Sequence, residues 1–314
     1  MANKIKIIFA GTPEFSVPYL AGLLADPDFS VLGVLTQPDR PSGRKQELSP
    51  APIKVLAQKN NLKIWQPEKL KDDSKIIGEL KKTGAALLIV VAYGQIIPQA
   101  VLDVFPKGCI NIHPSLLPKY RGASPIQSAI LNGEKETGIS IMLMDAKMDH
   151  GPILAQEKAQ LTGEETNESL HRQLADSGVK LLIETIKKFL SDEIKPIEQN
   201  HETATFCAPI TKKDGKIDWQ KPPEKIKQKI QAFYPWPGTW TTLDGKRLKI
   251  FPPVIIDKDE SQPAGQITVE NEQLTVVCGK GKLIVSKIQL EGKTLITADN
   301  FIRGYANLSG KILQ

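Results

Sequence analysis

The sequence has little of what binds metal, forms disulfides or anchors a chain in lipid. Among 314 residues stand three cysteines, Cys109, Cys207 and Cys278, far apart and odd in number. They form no Cys-x-x-Cys pair, which speaks against both a disulfide framework and a cysteine zinc site. The four histidines, His113, His150, His171 and His201, show no His-x-x-x-His spacing, and no metal is expected. The longest unbroken apolar run, Ala85–Tyr93, is nine residues. A membrane-spanning helix needs about 20, so no membrane partner is expected. Ile7–Ala10 is too short for a signal peptide, and the expected location is the cytoplasm. There is no internal repeat. Glycine and proline, 23 each, stay near ordinary usage, which excludes collagen-like and low-complexity chains.

An excess of either charge is missing from most of the chain. Residues 1–206 carry 24 Lys/Arg against 24 Asp/Glu, whereas 207–314 carry 17 against 11. The whole net charge of +6 therefore lies in the last third. A neutral front and a basic back fit a chain in which one part does chemistry and the other holds a polyanion. A lysine-rich solvated surface gives the same tally. At roughly 100–200 residues per domain, the length implies two domains.

The first two-thirds alternate short apolar runs with helical patterns. Lys4–Ala10, Val31–Thr36, Ala86–Ala92 and Cys109–His113 have the brevity of buried strands, and Gly138–Met144 is strand-like. Phe15–Ala25, Pro52–Asn60, Ser74–Lys82 and Leu170–Leu190 read as helices. The alternation implies an α/β, Rossmann-like domain with a mostly parallel sheet over 1–190. Residues 191–206 are polar and irregular and read as a linker. A helix at Lys225–Ala232 then precedes Thr239–Thr242, Leu248–Phe251, Gln266–Val269, Gln273–Cys278 and Lys282–Gln289. Short strands so closely spaced imply an OB-like β-barrel over 207–314, a fold that often binds nucleic acid.

The turn after the first strand, Gly11-Thr12-Pro13-Glu14, is not Gly-x-Gly-x-x-Gly and sets an acid where a pyrophosphate would sit. A dinucleotide cofactor is not expected. Cys109-Ile110-Asn111-Ile112-His113 is more informative. Alternation puts Asn111 and His113 on one face of a strand, at its carboxyl end, where open α/β sheets form their crevice. A hydrogen-bonded core Asn beside a structural His is the other reading. The loop that follows, Pro114–Gly122, is pinned by two prolines and presents Ser, Lys and Arg. Ser124 is placed to cap a helix that starts at Pro125 and stops at Asn132-Gly133. Such a rigid loop suits a ligand. Asp149 sits in a Gly/Pro turn, where an Asp is common for local reasons.

Cys109–Pro118, Met144-Asp145 and Met148-Asp149-His150-Gly151 resemble the folate-dependent formyltransferases. The likeness extends through Phe9–Phe15, Thr36–Pro41, Val90–Gly94 and Ala232–Gly238, essentially the whole chain. The first and last blocks, with the basic C-terminal part, are similar to the members that act on aminoacyl-tRNA. The resemblance implies formyl transfer from 10-formyltetrahydrofolate, as co-substrate, to the α-amino group of methionyl initiator tRNA. By matching position, Asn111 and His113 would stabilise the oxyanion. Asp149 would orient His113 or relay the amine's proton through water. Ser115, Leu116, Leu117 and Pro118 would line the tetrahydrofolate site, with Val91–Gly94 a further candidate near the pterin. Cys109 is not expected to act as a nucleophile, and His150 is expected to be a turn residue. Gln37–Pro50 is expected as a structureless loop; the resemblance makes it the element entering the acceptor stem, with Arg44 on the RNA. Lys212, Lys213, Lys216, Lys246, Arg247, Lys249, Lys280 and Lys282 are candidate phosphate contacts. Pro209 stands where many relatives have a lysine, which leaves that contact open. A monomer is expected.

Overall fold

The computed structural model describes residues 4–42, 47–257, 263–305 and 307–314. The chain divides into two compact units. One comprises Met1–Gly122, Thr137–Ala159 and His171–Phe206; the other Ala123–Glu136, Gln160–Leu170 and Cys207–Gln314.

The first unit is built on a seven-stranded sheet. Its strands are β1 (Ile5–Gly11), β2 (Phe29–Leu35), β3 (Lys63–Trp65), β4 (Leu87–Val91), β5 (Cys109–His113), β6 (Glu136–Leu143) and β7 (Ile153–Gln160). They lie in the order β7-β6-β5-β4-β1-β2-β3. The five from β3 to β5 in this order pair in parallel, and β6 runs antiparallel to β5. Ile7–Ala10 and Leu87–Val91 are buried throughout, which is why they read as unbroken apolar runs rather than alternating ones. Helices α1 (Val17–Ala25), α2 (Pro52–Lys59), α3 (Ser74–Lys82) and α4 (Gln99–Leu102) join the parallel strands. After β3 the chain returns to the other side of β1 to form β4. The switch point therefore falls between β1 and β4, where such sheets open a crevice.

Several expectations need correction here. The helix expected at Phe15 starts as a 3-10 turn, Glu14–Ser16, before α1. Gln37–Pro50 is not structureless: Arg40–Ser42 pairs antiparallel with Glu47–Ser49, in the register Arg40↔Ser49 and Ser42↔Glu47. Arg44 lies outside the described residues. The polar stretch 191–206 falls within the first unit, and Gln199 is buried there.

In the second unit, α5 (Pro125–Asn132) ends on Gly133 at φ 68°, the left-handed turn that glycine permits. Ser124 makes no capping bond; its hydroxyl donates instead to the Ala208 carbonyl at 2.6 Å. In chain order a long α6 (Asn167–Leu190), which belongs to the first unit from His171 on, precedes α7 (Pro223–Ala232) of the second. The β-rich part consists of β8 (Thr239–Leu243), β9 (Lys246–Asp257), β10 (Ile267–Glu270), β11 (Gln273–Val277), β12 (Lys282–Leu290) and β13 (Ile296–Thr297). The pairing runs β8-β9-β12-β11-β10, with β13 on β12. The last residues close it into a barrel: Gln314 exchanges two backbone bonds with Thr242, while Lys311 and Leu313 bond Ile267 and Gly265. Strand β9 is far longer than the expected Leu248–Phe251. Its register shifts between Phe251 and Val254, and this irregularity absorbs Pro252 and Pro253. The barrel core gathers Ile217, Trp219, Ile226, Ile230, Leu248 and Val285.

Candidate active site

Strand β5 delivers Asn111 and His113 to the carboxyl end of the sheet, and the Asp145–Gly151 turn brings Asp149 to meet them. The Asn111 amide donates to Asp149 Oδ1 at 3.3 Å. His113 Nδ1 lies 3.6 Å from Asp149 Oδ2. The same Oδ2 accepts the Gly122 N–H at 2.8 Å. His113 is 4% exposed, and its Nε2 sits 2.8 Å from the Tyr120 carbonyl. A carbonyl only accepts, so Nε2 carries a proton. The other ring nitrogen, Nδ1, is the one turned toward Asp149. Asn111 has a second amide N–H with no protein partner among the described residues.

Local backbone sets this arrangement. Asp149 has φ 49°, a left-handed conformation that Asp tolerates better than most residues. Two residues on, a Cβ at Gly151 would collide with the Leu143 carbonyl oxygen, so only glycine fits. Cys109 begins the same strand, but burial, aided by Asp103, pushes its thiol up to about 12. A thiol held protonated is a poor nucleophile.

The four residues expected at the folate divide into two pairs. Ser115 is fully buried: its hydroxyl donates to the Lys119 carbonyl at 2.6 Å, and its own carbonyl accepts from Ser140 Oγ at 2.6 Å. Leu117 is buried too, its N–H donating to Ser140 Oγ and its carbonyl accepting from Gln156 Nε2. Leu116 and Pro118 remain partly exposed. Ser140 and Gln156 therefore clamp the loop; sequence reasoning passed over both, because a polar residue in a strand has no signature of its own. At the switch point, Thr12 Oγ1 and Gln37 Nε2 both donate to the Tyr93 carbonyl, at 2.8 and 3.2 Å. This pins the Val91–Gly94 turn. Val91 and Tyr93 point inward, and Ala92 and Gly94 are exposed.

His150 is held by Asp145, with Nδ1 to Oδ2 at 2.6 Å, and stacks on His201 at 4.0 Å between ring centroids. Among the described residues no group of three or more His, Cys, Asp or Glu could hold a metal ion, and no helix is long and apolar enough to cross a membrane.

In the barrel, burial alternates along β8 and β9, so Trp240, Arg247 and Lys249 share the outer face. Trp240 pairs with Lys249 across the strands, and Lys249 with Gln289 of β12. The Arg247 guanidinium lies 4.3 Å from the Trp240 ring centroid. Lys282 is instead buried, which removes it from an outward phosphate-binding row.

Residues 3–186 match the Formyl transferase family, and residues 209–306 match its C-terminal domain. The WlaRD sugar 3N-formyl transferase, solved with dTDP and 5-N-formyl-THF, superposes with a TM-score of 0.66 at 20% identity, over 93% of this chain and 100% of that one. HypX from Aquifex aeolicus, solved with tetrahydrofolic acid, gives 0.66 at 15% identity over 100% of this chain and 51% of that one. The family matches set the class, a formyl transferase, and the two solved structures share its α/β fold. Methionyl-tRNA formyltransferase of Clostridium tetani is 43% identical over 99% of this chain and all of its own length. That of Caldanaerobacter subterraneus subsp. tengcongensis is 40% identical over 99% of this chain and all of its own. The chain belongs to the methionyl-tRNA formyltransferase family.

Proposed function

We propose that this chain transfers the formyl group of 10-formyltetrahydrofolate to the α-amino group of methionyl initiator tRNA, in the cytoplasm and as a monomer. The observation that carries the reading is the meeting of Asn111 and His113 on the Asp149 carboxylate at the carboxyl end of the sheet. All three come from one chain, so a single copy carries the cluster.

The chemistry follows from the donors. A neutral amine attacks the formyl carbon, the carbonyl oxygen gains negative charge, and N10 of the folate leaves. The α-amino group titrates near pH 8, so a neutral fraction is at hand without a strong base. The free N–H of Asn111 meets the oxyanion. His113 adds a second donor, and Asp149 orients its ring or takes the amine's proton through a water. Each preorganised donor lowers the barrier by about 3 kcal/mol. The Ser115–Pro118 segment lines the tetrahydrofolate site: Leu116 and Pro118 offer its open edge, and Ser115 and Leu117 hold its shape. Residues 1–190 do the chemistry and 207–314 hold the RNA. Arg44 touches the acceptor stem. Arg247 and Lys249 face the phosphates, beside a Trp240 ring suited to stacking.

The test is direct. Purified protein, 10-formyltetrahydrofolate and charged initiator tRNA are incubated, and N-formylmethionine is assayed beside a panel of amino sugars. Formylation of the tRNA is expected. Formylation of a small amine, with none of the tRNA, overturns the reading.

A further inference from the structure

Gln199 is 5% exposed, and Arg121 is 4%. The Gln199 oxygen accepts from Arg121 Nε at 3.2 Å and Nη2 at 2.7 Å. Its amide nitrogen donates to the Asp149 carbonyl at 3.0 Å and the Gly151 carbonyl at 2.7 Å. This orientation is dictated by chemistry. A guanidinium only donates and a carbonyl only accepts, so the amide can be placed one way round. Arg121 Nη2 also reaches His201 Nδ1 at 2.8 Å. His201 can accept there only while that nitrogen is unprotonated, and His150 stacks on its ring.

We propose that Gln199, oriented by Arg121, is a positioning residue for the formyl transfer: it fastens the Asp149–Gly151 turn so that the Asp149 carboxylate meets Asn111 and His113. The proposal rests on the function given above. Its physical basis is that Asp149 sits at φ 49°, where its side-chain direction depends on holding an unfavoured backbone. Two hydrogen bonds from one buried amide span the residues that flank His150 and fix that backbone from outside the site. Nothing else about Gln199 marks it for chemistry, since it touches neither Asn111 nor His113 among its hydrogen-bond partners.

The test uses the full chain with Gln199→Leu, which removes both functions of the amide. Gln199→Glu keeps the acceptor for Arg121 and, ionised, offers no donor to the two carbonyls. Two measurements are made. The first, without substrate, is NMR hydrogen exchange of the Gly122 amide, which is protected by Asp149 Oδ2. The Leu88 amide, bonded to Gly108, serves as the control. The second is kcat and KM for tRNA formylation. Both variants are expected to exchange Gly122 faster by at least about tenfold, with Leu88 unchanged. They should lose on the order of 10²-fold in kcat, as expected of a displacement near 1 Å, with KM for tRNA within about twofold. Adding Gln199→Leu to Asp149→Asn should cost no further activity, because the amide acts through that carboxylate. Unchanged Gly122 protection, or a loss that multiplies with Asp149→Asn, overturns the proposal. Faster Gly122 exchange in a protein whose wild type formylates no tRNA upholds the anchoring and refutes the functional reading instead.

Discussion

Asp149→Asn is the sharpest test of the proposed catalytic cluster, because it changes charge and donor pattern while keeping shape. Both carboxylate oxygens act as acceptors: Oδ1 takes the Asn111 N–H, and Oδ2 takes the Gly122 N–H at 2.8 Å. An asparagine has one oxygen, so one of these donors must face the new NH2 group. Hydrogen bonds to a charged acceptor contribute about 1.5–3 kcal/mol, and the loss of one, at a side chain 15% exposed, bounds the stability cost. The backbone adds little, since Asn accepts the left-handed region as readily as Asp; alanine there would add strain of roughly 1 kcal/mol. The larger loss is in rate. Nδ1 of His113 would face a neutral amide in place of a carboxylate, and the proton acceptor would be lost. Losing general acid–base help costs on the order of 10²–10⁴ in turnover. Single-turnover formylation with enzyme in excess measures that step without the contribution of tRNA binding. A variant that folds and still turns over within about threefold of wild type would remove Asp149 from the chemistry.

Further outcomes follow from the thiols and the barrel face. The Cys109 thiol, raised by burial from 9.0 to about 12, keeps its proton where the unfolded chain has lost it. Its contribution is complete below pH 9 and is lost as pH rises toward 12. Urea unfolding of Cys109→Val should therefore show a shallower alkaline fall than wild type; an identical fall refutes the burial argument, and complete loss of formylation would restore the thiol as nucleophile. Replacing Arg247 and Lys249 together by alanine should lower the salt slope of tRNA binding by roughly 2 and leave saturated turnover alone. An unchanged slope would mean that this face does not meet phosphate.

What could be read from sequence was whatever a short local pattern decides. Five consecutive residues, Cys109–His113, form a strand with those same bounds. Their alternation puts Asn111 and His113 on one side at the end where such sheets bind ligands. Asp149 lies 38 residues from Asn111, in a turn whose composition already explains an aspartate, and only the tertiary contact raises it above that explanation. Inside the irregular loop, period-two reasoning fails. Ser115 and Leu117 have the same standing in sequence as Leu116 and Pro118, yet the first two spend their polar groups on Lys119, Ser140 and Gln156.

Gln199 shows the limit most clearly. A polar residue in a polar stretch reads as solvated, and its partners are 48 to 78 residues away. The barrel's closing residues, Lys311–Gln314, hide in the same way, with two apolar side chains and no room for a period. In both cases a backbone group is satisfied by something distant, and pattern in one dimension carries no trace of it. A site of this kind therefore divides by the range of its causes. Asn111 and His113 stand at the end of a regular element and are legible, while Asp149 and the residues that hold it are fixed by bonds that form only once the chain has folded.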